Sequence, residues 1–150
     1  AFVYNTFLRL SPSRQNQHPG LVFNSKKRAG TTFTDAVIAR MRANGVAPDI
    51  FTYNSAIRDC VFRDRDALSK TKEYCKQIQV DGLQMNYSTF SALLATYSER
   101  GEISLSEKVF ETMLTSFPKQ ITAADYNNMA RAGRKHGDIE HVARWLKQAK

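Results

Sequence analysis

The sequence predicts an all-α fold, a solenoid of stacked helical hairpins, and three observations carry that expectation. A short pattern recurs four times: an aromatic residue, a small polar residue, then an apolar pair. It is centred on Tyr4, Tyr53, Phe90 and Tyr126, which stand 49, 37 and 36 residues apart. A near-constant period of this size is the signature of a repeat architecture. Glycines keep the same register. Gly45 and Gly82 are 37 apart, and Gly101 and Gly137 each follow their aromatic by 11 residues. Composition agrees: 150 residues at 42% hydrophobic can bury a core, and two cysteines cannot build a disulfide framework.

Taken in order, Phe2–Leu8 opens a first helix. Ser11–Gly20 is polar and rich in helix breakers, so it reads as loop, and it continues past Lys26, Lys27 and Arg28 to Gly30. We read residues 11–31 as an insertion between the two helices of the first repeat, which accounts for the long first spacing. Leu21, Val22 and Phe23 would pin it to the body. The insertion carries Arg14, Lys26, Lys27 and Arg28 and no acid. It is either a solvated basic loop or a phosphate-binding arm.

A helix should then end at Gly45, because a positive φ at a C-cap is cheap only for glycine. Pro48 falls in the turn that follows, where it harms no helix. Phe51–Ile57 opens the second unit. About two extra residues lie near Arg63–Ala67, where the turn glycine is missing. Gly82 closes that unit's second helix and Ser88–Leu94 starts the third. After Gly101, Ile103, Val109, Phe110, Met113 and Leu114 recur at helical spacing along one face. Pro118 marks the next turn, and Ala124–Ala130 begins a fourth unit that stops at Lys150, before its second helix would finish. The expected organisation is four units: 1–49 with the insertion, 50–86, 87–122 and an incomplete 123–150.

The chain holds 22 Lys+Arg against 14 Asp+Glu, a formal charge of +8. A basic balance of that size points to a polyanionic partner, nucleic acid first, or to a basic surface enclosed in a larger assembly. No apolar stretch approaches 18 residues, so no membrane span is expected. The chain starts at Ala1 with no targeting peptide in view. Catalytic and metal readings find little support. His18, His136 and His141 do not cluster, and Cys60 and Cys75 lie 15 apart with no Cys-x-x-Cys. Asp64 and Asp66 alternate with Arg63 and Arg65, where charge balance explains them. There is no Gly-rich phosphate loop or nucleophile elbow. No catalytic residue, metal or cofactor is expected.

Among hairpin repeats, the tetratricopeptide pattern wants a Trp and a Leu-Gly pair in the first helix, and the single Trp here, Trp145, falls in a second helix. The sequence instead resembles the pentatricopeptide repeat family. Thr52-Tyr53-Asn54 matches the start of that family's unit, Gly45-Val46-Ala47-Pro48-Asp49 its ending, and Phe110-Glu111-Thr112-Met113 its second helix. The resemblance implies a right-handed superhelix that binds single-stranded RNA, about one base per repeat. It further implies that the residue after each aromatic reads a base together with the last residue of the repeat. The residue two positions before the aromatic would wedge between bases.

Carried onto this chain, Asn5 with Asp49 resembles a uracil-favouring pair and Asn54 with Asn86 a pyrimidine-favouring pair. Ser91 with Thr122 is not a standard combination, and the partner of Asn127 would lie beyond Lys150. The wedge positions are Phe2, Phe51, Ser88 and Ala124, of which only the two phenylalanines can stack. A purely structural reading stands beside this one: the aromatics pack within the repeat, and the asparagines cap or solvate helix starts. The implied role is RNA processing, stability or translation in an organelle, the mitochondrion first and the plastid second. The alternatives are a structural subunit of an organellar ribosome or other ribonucleoprotein that holds rRNA without reading bases, and a protein-binding scaffold with no RNA.

Overall fold

Four of the helices end at a glycine and several begin at a capping side chain, and those ends set the architecture. In a computed structural model, residues 33–63 and 66–148 are described. Among them are seven α-helices, one short 3-10 turn and no strand. The helices are α1 (Phe33–Ala43), α2 (Ile50–Arg63), α3 (Ala67–Val80), α4 (Tyr87–Arg100), α5 (Ile103–Ser116), α6 (Ala123–His136) and α7 (Ile139–Gln148), with the 3-10 turn at Pro118–Gln120. The stretch Phe2–Leu8 and the insertion at 11–31 lie outside the described residues.

Gly45, Gly82, Gly101 and Gly137 all adopt positive φ, between 67° and 86°. At Gly45 the left-handed turn lets the Val46 amide donate back to the Met41 carbonyl at 2.9 Å, satisfying a carbonyl the helix end would otherwise orphan. Gly101 repeats the device, with Glu102 N–H on the Tyr97 carbonyl at 3.0 Å. The starts of α2 and α4 are capped by side chains. Asp49 Oδ1 accepts from the Thr52 amide at 2.8 Å, and Asn86 Oδ1 accepts from the Thr89 amide at 3.1 Å. Before α6 the exchange runs the other way: the Thr122 amide donates to the Asp125 carboxylate at 2.8 Å.

Two layers result. The first helices α2, α4 and α6 pack directly on one another, α2 on α4 and α4 on α6. The second helices α1, α3, α5 and α7 lie behind them, each against first helices, and meet one another through side chains. The core divides accordingly. Tyr53, Ile57, Cys60, Tyr74, Ile78 and Leu93 form one cluster, and Leu94, Phe110, Met113 and Met129 form another. The adjacent Leu93 and Leu94 point to different clusters, so α4 is shared between them.

Of the aromatic residues that set the repeat period, the three among the described residues are packing residues, and Tyr4 lies outside them. Tyr53 is fully buried, and Phe90 and Tyr126 pack against the clusters. One expectation needs correcting. Leu114 does not join Phe110 and Met113 inside but is 39% exposed, because it sits about 100° around the helix from Met113 and faces away from α6.

Polar ties lock helix to helix. Arg42 at the end of α1 donates to the Tyr53 hydroxyl at 2.9 Å and to Gln77 at 3.0 Å, and pairs with Asp81 at 3.2 Å. The Tyr53 hydroxyl donates in turn to Asp81 at 2.5 Å. Burial and that bond push the Tyr53 hydroxyl up to about 12. Tyr74 and Lys70 of α3 both reach Asp35 of α1, at 2.5 and 2.9 Å.

Candidate nucleic-acid interface

The face of α2 that carries the candidate residues follows from helical spacing alone. Phe51, Asn54 and Arg58 fall at i, i+3 and i+7, one above another on one side of the helix. α4 packs along that side, so the residues lie at or beside the seam between two first helices.

Asn54 is 4% exposed and meets Asn86 across the seam, its Nδ2 donating to Asn86 Oδ1 at 3.3 Å. The orientation is dictated locally. Asn86 must present its oxygen to cap α4, because the Thr89 amide needs an acceptor there. Asn54 therefore turns its amide nitrogen toward that oxygen. Its own Oδ1 is left buried with no hydrogen-bond donor among the described residues. Such an unpaired buried carbonyl costs about 1–3 kcal/mol. The Asn86 oxygen is already taken by three donors, so its NH2 is the group left to give. Beside the pair, Phe51 is 56% exposed, an apolar ring held in solvent at the first turn of α2.

The next seam differs. Ser91 is half-buried on α4, while Thr122 commits both its amide and its hydroxyl to Asp125, at 2.8 and 2.9 Å. Asp125, fully buried, also accepts from Tyr87 at 2.7 Å. Burial and that bond raise the Tyr87 hydroxyl above its ordinary value. No hydrogen bond joins Ser91 to Thr122 among the described residues. Asn127 is exposed on α6. The wedge positions Ser88 and Ala124 are half-buried and exposed, and neither offers an apolar surface comparable to Phe51. Asp49 caps α2 through Thr52. Its proposed partner Asn5 lies outside the described residues, as do Phe2, Arg14, Lys26, Lys27 and Arg28.

Charge along this face is partly offset. Arg131 and Lys135 of α6 share Glu99 of α4, at 3.7 and 3.0 Å. Arg58 is exposed and has no carboxylate partner among the described residues. Its Nη2 donates across the seam to Ser88 Oγ at 2.9 Å. Sequence reasoning missed Arg58, although the i, i+3, i+7 register of Phe51, Asn54 and Arg58 places it on this face.

Among the described residues no group of three or more His, Cys, Asp or Glu side chains is arranged to hold a metal ion. Cys60 is buried and Cys75 half-buried, where burial raises the Cys75 thiol and keeps it unreactive. No helix among the described residues is long and apolar enough to cross a membrane.

Residues 23–63 match one family model, that of the pentatricopeptide repeat domain. The matched stretch spans α1, the turn from Gly45 to Asp49, and α2. No curated protein and no solved structure matches the chain. Proteins of that family are generally organellar, RNA-binding and non-enzymatic.

Proposed function

For a chain that carries a pentatricopeptide repeat, we propose the binding of single-stranded RNA along the face of its first helices, as an adaptor in organellar RNA processing, stability or translation. The repeats are taken as 1–49, 50–86, 87–122 and 123–150. The compartment is the mitochondrion, with the plastid as the alternative. The basic insertion, through Arg14, Lys26, Lys27 and Arg28, would meet phosphates, and Phe2 and Phe51 would stack on bases. Asn5 with Asp49, and Asn54 with Asn86, would read bases.

The observation that carries the reading is the pair Asn54–Asn86 beside an exposed Phe51. Asn54 Oδ1 is buried, so the group left to meet a base is the Asn86 NH2, a donor that suits the carbonyl and ring-nitrogen acceptors of a pyrimidine edge. The test is a binding series on short single-stranded RNAs that differ only at the base facing unit two. Asn86→Asp is the informative variant, because a carboxylate still caps α4 and still accepts from Asn54, so the fold is kept. It removes the NH2 donor and should shift preference toward uracil by about 1 kcal/mol. An unchanged uracil-to-cytosine ratio sinks base reading at unit two.

A second reading rests on the other seam. Thr122 is committed to Asp125, Ser91 stands apart, and Ser88 and Ala124 offer no ring. Those features favour a structural subunit of an organellar ribosome or other ribonucleoprotein, holding rRNA by shape and phosphate contact. A protein-binding scaffold is the third possibility. Sedimentation of the chain with whole ribosomal particles rather than with one transcript would favour the structural subunit.

A further inference from the structure

Phe51 and Ser88 occupy the same place in successive hairpins, the second residue of α2 and of α4. At the first place a phenylalanine ring stands in solvent. At the second the side chain is a hydroxymethyl, too small to cover a base. Yet that position is not bare, because Arg58 of the preceding hairpin reaches across the seam and donates to Ser88 Oγ at 2.9 Å. A guanidinium is planar, weakly hydrated and presents a π-face, so it stacks on aromatic rings as a lysine ammonium does not. It is also free of a carboxylate among the described residues that would compete for it. The short Ser88 side chain leaves room for it and gives it an anchor.

We propose that Arg58 is the stacking residue between units two and three: its guanidinium, held by the Ser88 hydroxyl, takes the role at α4 that the Phe51 ring takes at α2. This rests on the reading of the face as a single-stranded RNA groove. The arrangement differs from a phosphate contact in what it demands, since stacking needs the plane whereas a phosphate needs only the charge. It also makes Arg58 insensitive to base identity, because every base has a π-face.

The experiment uses the full chain and single-stranded RNA oligonucleotides, with affinity measured across a salt series. Arg58→Lys keeps the charge and loses the plane. The expected result is a loss of about three- to tenfold in affinity with an unchanged salt slope, equal on all base sequences. Ser88→Val in the Arg58→Lys background places an apolar surface at α4 directly and should restore most of that affinity. Thermal melts of each variant, followed by circular dichroism, should coincide with the wild type, since Arg58 is exposed and Ser88 only half-buried. If Arg58→Lys binds as the parent does while Arg58→Gln lowers the salt slope by about 0.7, the residue is a phosphate contact and the proposal is overturned. If the double variant stays as weak as Arg58→Lys, the α4 position is not a stacking place and the proposal is likewise overturned. Failure of the parent chain to bind any single-stranded RNA overturns the RNA reading itself. Binding that ignores Arg58 overturns only this step.

Discussion

The seam between α2 and α4 and the seam between α4 and α6 are built from the same parts and end in different states. In both, the residue before the upper helix caps it through the third residue of that helix. At the first seam that third residue is Thr89, a neutral hydroxyl, and the cap oxygen of Asn86 keeps capacity for Asn54 across the groove. At the second it is Asp125, whose buried carboxylate draws in the Thr122 amide and hydroxyl and the Tyr87 hydroxyl together. The amide and hydroxyl of the cap residue are therefore committed to its own helix, and no hydrogen bond joins it to Ser91 among the described residues. One residue three places into a helix decides whether the residue before it is available to a groove.

The largest effect that would probe this division is on the cores. Phe110 is fully buried in the second cluster, edge-on to Tyr126 and Trp145 at 5.1 and 5.2 Å. Phe110→Ala should cost about 3–5 kcal/mol, read by urea denaturation. Because neighbouring hairpins couple only through shared faces, hydrogen exchange should show α5–α7 opening while α2 and α3 stay protected. Uniform loss of protection would mean that the two seams are one cooperative unit.

A smaller effect separates the caps. Asn86→Ala removes a helix cap and also strands the buried Asn54 amide. Thr122→Ala removes the hydroxyl bond to Asp125 and leaves the backbone bond to it. Both fall within about 0.5–2 kcal/mol, with Asn86→Ala the costlier, measured by thermal melting. Equal costs would mean that the Asn54–Asn86 contact contributes nothing to the fold.

The last effect is read by titration into alkali. A tyrosine in an unfolded chain ionises near 10 and Tyr53 in the folded chain near 12. The folded state thus holds its proton longer. Stabilisation is complete below about pH 10 and drains away as pH climbs toward 12. Tyr53→Phe should be less stable near neutrality and should lose less as pH rises through that window. Tyr87 and Tyr97 are raised as well, so part of the alkaline loss will remain. A denaturation series in which Tyr53→Phe loses stability as steeply as the parent would assign the alkaline loss to those other tyrosines.

What the sequence disclosed divides along physical lines. Helix ends were legible at Gly45, Gly82, Gly101 and Gly137, because a left-handed turn selects one residue type at one place. Buried aromatics were legible from their period. The proximity of Asn54 and Asn86 was expected only from a family resemblance, and no spacing within the chain required it. The depth of Asn54 was not legible, since it depends on how closely α4 lies on α2. Nor were the ties of Arg42 to Asp81 or of Arg58 to Ser88, which join residues 39 and 30 apart. Such pairs obey no local pattern. They exist because two helices happen to bring a long cationic side chain within reach of an acceptor.

Direct contact among α2, α4 and α6 fixes a ruler. Packed helices stand about 8–10 Å apart axis to axis. Successive bases in a stacked strand rise about 3.4 Å. A strand that gives one nucleotide to each hairpin is therefore stretched to well over twice its stacked rise, and each base must part from its neighbour. Strands that stack strongly on themselves then bind at a disadvantage that grows with every hairpin they cross, whatever their sequence. On the proposed reading, the pitch of the first-helix layer would filter RNA by its stiffness before any side chain had touched a base edge.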